Sequence, residues 1–294
     1  MKYQCIAELQ QKAAPVPTLC RLLKVSASGY YAAQQRKREA KTCSITPHLQ
    51  AAFIQSGRSY GSRRLRAALH QQHIRVGRYR IRKLMRIHHL RPVWQRKFIH
   101  TTDSGHALPI ADNVLNRQFT PIAANRAWAA DITAIPTRRG WLYLAAVMDL
   151  YSRKIVGWAM APHMPAELAC AALEMAITQR NPSPGLMVHS DRGSQYASQA
   201  HRVLLARHEL RASMSGKGNC WDNAVMERFF LNLKMERVWQ GDYANPAEAS
   251  RDISDYIVNF YNNERLHSTL GYLPPNAYEI KSAAKQPINV SEIT

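Results

Sequence analysis

Residues 127–160 carry three candidate strands joined by short turns, and from residue 165 onward helices and strands alternate. The strands are read at 127–136, 141–150 and 154–160. The Arg139-Gly140 turn is too short for a crossover, so consecutive strands form an antiparallel meander. A helix over 165–179 follows, with Pro165 in its first turn and Glu167 near the positive end of its dipole. Next come a short buried strand at 186–190, a helix at 200–208, a strand at 211–215 and a helix at 222–238. Asn245-Pro246-Ala247-Glu248 is a capping box that opens a last long helix, lined by Ile253, Tyr256, Ile257 and Phe260. This order confines the second half of the chain to an α/β domain.

The first half is different. Residues 1–120 hold 22 Lys/Arg against 4 Asp/Glu, whereas residues 121–294 hold 18 against 16, so nearly all of the +20 net charge lies in one part of the chain. Between Arg58 and Lys97 there are thirteen basic residues and no acidic one. A solvated face normally mixes signs, so such a block points to a polyanionic partner. Within it, Leu65, Ala68 and Leu69 fall at helical spacing. After a break at 73–77, Ile81, Leu84, Met85 and His88 share one side of a second helix, with Arg78, Arg82, Lys83 and Arg86 on the other. Helix, short turn with glycine and basic amphipathic helix make a helix-turn-helix, whose second helix lies against phosphates or base edges. A weaker helical hairpin spans 18–33 around the Val25-Ser26-Ala27-Ser28-Gly29 turn.

The chain divides accordingly into an N-terminal helical region (1–55), a basic helix-turn-helix (56–99), a polar linker (100–124), the α/β core (125–280) and a tail (281–294). The most apolar long stretch, 141–161, is broken by Asp149, Arg153 and Lys154, so no membrane span is expected; the first residues show no apolar core of secretory type, so export is not expected. Five cysteines without a C-x-x-C pair argue against a disulfide framework or a zinc knuckle, and fit reduced thiols in a cytoplasmic protein.

Strands in this order are those of a ribonuclease-H-like sheet, and three carboxylates stand at telling places in it. Asp131 lies mid-strand between Ala130 and Ile132, Asp191 ends the fourth strand, and Glu227 sits inside a helix before Phe229-Phe230. Alone, each has a plainer reading, as a polar-face, turn or surface residue. Together, strand ends and a facing helix would gather three like charges that need a cation. Magnesium takes oxygen ligands, and a pair of ions about 4 Å apart activates an attacking oxygen while stabilising the leaving one.

Asp191 and Glu227 are separated by 35 residues, the spacing of the D,D(35)E transposases and retroviral-type integrases. The whole chain resembles the OrfB product of the insertion-sequence-three (IS-three) family of bacterial transposases. Among the strings that carry the likeness are Tyr60-Gly61-Ser62-Arg63-Arg64, Trp128-Ala129-Ala130-Asp131-Ile132-Thr133, Asp149-Leu150-Tyr151-Ser152-Arg153, His189-Ser190-Asp191-Arg192-Gly193-Ser194-Gln195-Tyr196, Lys217-Gly218-Asn219-Cys220-Trp221-Asp222-Asn223-Ala224 and Glu227-Arg228-Phe229-Phe230.

The resemblance implies a ribonuclease-H-like integrase catalytic core preceded by a basic all-α helix-turn-helix region. It implies Asp131, Asp191 and Glu227 as the catalytic, metal-binding set, with Mg2+ as cofactor and Mn2+ as a substitute. It also implies cleavage at the ends of an element followed by 3′-hydroxyl strand transfer. Arg63, Arg64, Arg78, Arg82, Lys83, Arg86 and Lys234 are the expected DNA contacts, Lys234 because it shares a helical face with Glu227. Asp149 is read as a structural carboxylate, His189 is given no proton-transfer role, and Arg265 and His267 are left open between structure and DNA contact. No His-His-Cys-Cys module is visible, so no structural zinc is expected. The implied partners are double-stranded DNA, further copies of the chain on that DNA, and an upstream OrfA product or OrfA–OrfB fusion, with a nucleoid-associated location. A DNA-binding regulator with a silent core and a plain nuclease are the competing readings. Intact acids speak against the first, and strand joining separates the second.

Overall fold

The computed structural model describes residues 2–10, 15–39, 45–93 and 108–284. The core is a five-stranded sheet of β1 (Ala127–Thr137), β2 (Gly140–Asp149), β3 (Ile155–Ala161), β4 (Met187–Ser190) and β5 (Arg211–Met214), in the order β3-β2-β1-β4-β5. The meander β1-β2-β3 is antiparallel, while β4 and β5 add in parallel beyond β1. That parallel addition needs crossovers, which the intervening helices supply.

Strand alternation gives the sheet two apolar faces. Trp128, Ala130, Val147 and Val156 point to the side covered by α7 (Ala166–Arg180), α8 (Ser194–Ala197) and α9 (Gln199–Arg207). Ala127, Ala129, Leu144 and Met148 point to the side covered by α10 (Ala224–Leu233) and α11 (Pro246–Asp255). Each large aliphatic or aromatic side chain buried there contributes about 1.5–3 kcal/mol. Gly157 in β3 permits the close approach of α7, because a Cβ there would run into the Ala172 carbonyl and come within 2.6 Å of the Ala176 nitrogen.

The expected helix at 222–238 is three pieces: a 3-10 turn at Cys220–Asn223, then α10, then a π turn at Lys234–Val238. The last long helix likewise ends in a π turn, Tyr256–Tyr261. A helix not foreseen, α12 (Pro275–Ala283), follows. It is fastened by Glu279, which accepts from Arg180 at 2.9 Å and from Ser152 Oγ at 2.7 Å.

The helix-turn-helix pair is α5 (Ser62–Gln71) and α6 (Arg78–Ile87), and His73, at φ 60°, turns the chain between them. Leu65, Leu69, Ile81, Leu84 and Met85 share a core with Leu49, Ala52 and Phe53 of α4 (Ile45–Gln55), so the packed unit begins before residue 56. The N-terminal hairpin is α2 (Val16–Leu22) and α3 (Ala27–Glu39), which with α1 (Lys2–Gln10) close over Ile6, Leu19 and Tyr30. Residues 100–107 of the expected linker lie outside the described residues. The remainder is irregular but anchored: Leu115 is buried in the core, and the Val114 and Leu115 amides donate to Ser213 Oγ at 3.0 and 3.1 Å.

Candidate active site

Asp131 is on the β1 face that looks toward α10, two residues beyond Ala129. Ala129 pairs with His189 in the parallel β1–β4 ladder. The same offset carried two places further sets Asp131 opposite Asp191, just past the end of β4. Local hydrogen bonds fix both carboxylates: Asp131 Oδ1 accepts from its neighbour Ile132 N at 2.8 Å, and Asp191 Oδ1 accepts from Gly193 N at 2.9 Å. Glu227 stands on the exposed side of α10, whose other side buries Met226, Phe229 and Phe230. Asn223 ties the start of this helix to β1, its amide donating to the Ala130 carbonyl at 3.2 Å.

The electrostatics record the crowding. Burial, then the charge of Asp191 and more weakly that of Glu227, push the Asp131 carboxyl well above the usual carboxylate range. Burial and the charges of Asp131 and Asp191 also raise the Tyr196 hydroxyl, which therefore keeps its proton. The Lys234 ammonium is half-buried; desolvation lowers its pKa while Asp131 opposes the fall. Among the described residues no three His, Cys, Asp or Glu side chains stand close enough together to hold a metal ion. Asp131 nonetheless feels the charges of Asp191 and Glu227. The donor set itself, all carboxylate oxygen, fits a hard divalent cation, whose charge would reverse the penalty on ionised Asp131.

His189 serves the interior. Its Nδ1 is 2.9 Å from Ser213 Oγ, which already accepts two backbone amides, so the serine hydroxyl donates to Nδ1. Nε2 then carries the ring proton toward Ser215 Oγ, 3.3 Å away. Burial pushes His189 down to about 4, so it is a neutral strut. Asp149, fully buried, accepts from Asn125 N, Tyr151 N and Arg180 Nη2 at 2.8, 2.9 and 3.2 Å. It lies three residue pairs from Asp131 along β1, about 10 Å away.

A second polar centre, which sequence reasoning did not find, joins the helix-turn-helix unit to the core. Glu236, buried in the π turn, accepts from Arg265 Nε and Nη2 at 2.8 Å each and from the Tyr256 hydroxyl at 2.6 Å. Arg64 reaches to 3.9 Å of the same carboxylate and lies over the Tyr60 ring. The Tyr60 hydroxyl accepts from Leu266 N at 2.8 Å. Arg64 thus turns partly inward, and Arg265 and His267 are both buried. Arg63, Arg78, Arg82, Lys83 and Arg86 are exposed.

A helix-turn-helix unit followed by a sheet with acids at β1, after β4 and on α10 defines an integrase-core protein. Family models agree: an HTH-like domain matches residues 44–98, and two integrase core domain models match 122–220 and 208–275. The chain is 40% identical over 290 residues, 97% of its length and all of the other, to the transposase InsF for insertion sequence IS3A of Escherichia coli (strain K12). It is 42% identical over 266 residues, 90% of this chain and 98% of the other, to the insertion element IS600 uncharacterized 31 kDa protein of Shigella sonnei. The chain belongs to the transposases of the IS3 family of insertion sequences. Among solved structures, the simian T-cell lymphotropic virus intasome in complex with PP2A regulatory subunit B56 gamma is similar over 80% of this chain and 79% of the other, at 15% identity and a TM-score of 0.48.

Proposed function

We propose that the chain is a DDE-type polynucleotidyl transferase that cleaves DNA at the ends of its insertion sequence and joins the freed 3′-hydroxyl to target DNA. The observation that supports this reading is the parallel β1–β4 pairing, which ends with Ala129 beside His189, two residues before Asp131 and Asp191, together with the charge of Asp191 and Glu227 felt at Asp131. Asp131, Asp191 and Glu227 would hold a divalent metal, taken here as Mg2+ with Mn2+ able to replace it. When bound, it supplies charge neutralisation at the phosphate and activation of the attacking oxygen. Lys234, on the Glu227 side of the helix, holds a DNA phosphate beside the acids. Arg63, Arg78, Arg82, Lys83 and Arg86 grip the duplex, and Arg64 contributes from the domain junction. Cleavage and joining are both in-line displacements at phosphorus, so one set of acids serves both.

Further copies of the chain and an upstream OrfA product are the proposed partners on DNA, and the nucleoid is the proposed location. Among the described residues no helix is long and apolar enough to cross a membrane.

The test uses labelled element ends with Mg2+ and the variants Asp131→Asn, Asp191→Asn and Glu227→Gln. Each variant is expected to lose both cleavage and joining while retaining DNA, whose basic contacts lie mainly elsewhere. Losses are not expected to add in double variants, because the acids act as a unit. Asp149→Asn is the control that keeps the chemistry. A variant of the three acids that joins strands at the wild-type rate removes that residue from the site. Binding by the wild type without any cutting favours a regulator, and cutting without joining favours a nuclease.

A further inference from the structure

Between the helix-turn-helix unit and the core lies a cleft of ≈ 730 Å³. Six arginines line it, Arg63, Arg64, Arg78, Arg153, Arg228 and Arg265, against a single carboxylate, Glu236. That carboxylate is already committed to Arg265 and Tyr256, so the cleft carries a large surplus of positive charge.

Three further features suit it to phosphate. Arg153 stands at φ 61° in the β2–β3 turn, and its Nη1 is buried with no hydrogen-bond partner among the described residues. A buried N–H group without an acceptor is costly, and an anion in the cleft would relieve that cost. Gly61 and Ser62, also in the lining, form the N-terminus of α5, where no side chain caps the free amides. Exposed Arg63, from α5, and exposed Arg228, from α10, both line the cleft, and neither is in an ion pair among the described residues.

The position of the cleft identifies the anion. One wall is α5 and the start of α6. The other is the α10 stripe of Ala224, Arg228 and Asn232, about 100° around the helix from Glu227. It therefore lies between the helix pair and α10, the helix that also carries Glu227. We propose that this cleft is the track for the DNA strand between the recognised sequence and the scissile bond, with Arg63, Arg153 and Arg228 each neutralising one backbone phosphate. The proposal rests on the transposase reading and adds Arg153 and Arg228 of the core to the DNA contacts proposed for the helix-turn-helix unit.

Fluorescence anisotropy of the full chain with a labelled duplex of the element's terminal repeat, across a salt series, tests it. Each phosphate neutralised contributes about −0.9 to the log–log salt slope. Arg63→Gln with Arg228→Gln is expected to make the slope less steep by about 2, whereas Arg202→Gln with Arg207→Gln, exposed on α9, leaves it unchanged. Adding Arg153→Gln flattens it by about one further unit; should that variant unfold, the double variant decides alone. Neutral methylphosphonates placed between the repeat and the cleavage position should weaken wild-type binding, and should weaken the double variant, which keeps only Arg153 of the three, much less. A wild-type slope in the double variant, or the same interference pattern in both proteins, overturns the cleft. Failure of the wild type to bind the duplex at all overturns the transposase reading instead.

Discussion

Glu236→Gln tests the junction between the two halves of the molecule. Arg265 is 1% exposed; its Nε and Nη2 donate to the Glu236 carboxylate, its one charged partner among the described residues, and its Nη1 lies 3.5 Å from His267 Nε2. Glutamine removes the negative charge and turns one acceptor into a donor aimed at a guanidinium. Arginine stays protonated, so Arg265 would be left charged and buried without a counter-charge. Breaking a buried pair from one side costs about 3–5 kcal/mol, whereas a solvent-screened pair such as Arg138 with Asp242 contributes little. At about 2–4 °C per kcal/mol for a chain of this size, the unfolding midpoint should fall by about 6–20 °C.

The effect depends on pH in a stated direction. Burial raises the Glu236 pKa, but the charge and hydrogen bonds of Arg265, with Tyr256 and Arg64, outweigh it and hold the folded value below 4.5. The carboxylate's contribution is therefore complete above the unfolded value and lost as pH falls through the folded one. Urea unfolding followed by circular dichroism at neutral pH and at about pH 3 measures both effects. Adding Arg265→Met is expected to recover part of the loss, because no charge is then stranded. A single variant within about 1 kcal/mol of wild type at neutral pH, or a deficit that persists undiminished in acid, refutes the reasoning.

Gly157→Ala should cost about 1–3 kcal/mol, because a methyl group there meets the α7 backbone; an unchanged unfolding midpoint would show that α7 can withdraw freely. His201 is buried, with neither ring nitrogen hydrogen-bonded among the described residues, and burial pushes it down to about 4 from 6.5. The unfolded chain binds the proton first, so the histidine's contribution is complete above about pH 6.5 and lost toward about pH 4, about 3 kcal/mol in all. His201→Phe should flatten stability across that window, and an unaltered pH profile would count against it. Replacing Arg82, Lys83 and Arg86 with Gln should make the salt slope of DNA binding shallower by about 0.9 for every phosphate no longer neutralised; a wild-type slope would take that face of α6 off the DNA.

Much of the candidate site was legible in the chain. Alternating apolar residues placed the five strands within a residue or two, and helical spacing found α5, α6 and the start of α10. The 35-residue interval and its flanking strings singled out Asp191 and Glu227. The π turn at Lys234–Val238 was not legible, because Met235, Glu236 and Val238 turn inward on a period that a regular helix lacks. Nor was α12, whose attachment to the core depends on Glu279 meeting Arg180, 99 residues away.

The sequence by itself determined the local elements and the partition of charge and nominated the three acids, because each is written in spacings of a few residues or in short strings. Only the tertiary structure decided that β1 pairs in parallel with β4 in the register that puts Ala129 beside His189, that Arg64 shares Glu236 with Arg265, and that six arginines line one cleft. Those arrangements join residues far apart in the chain, 206 positions in the case of Tyr60 and Leu266. Contacts of that range leave no periodic trace in the sequence; they are fixed when the apolar faces of sheet and helices pack in the one register that buries them.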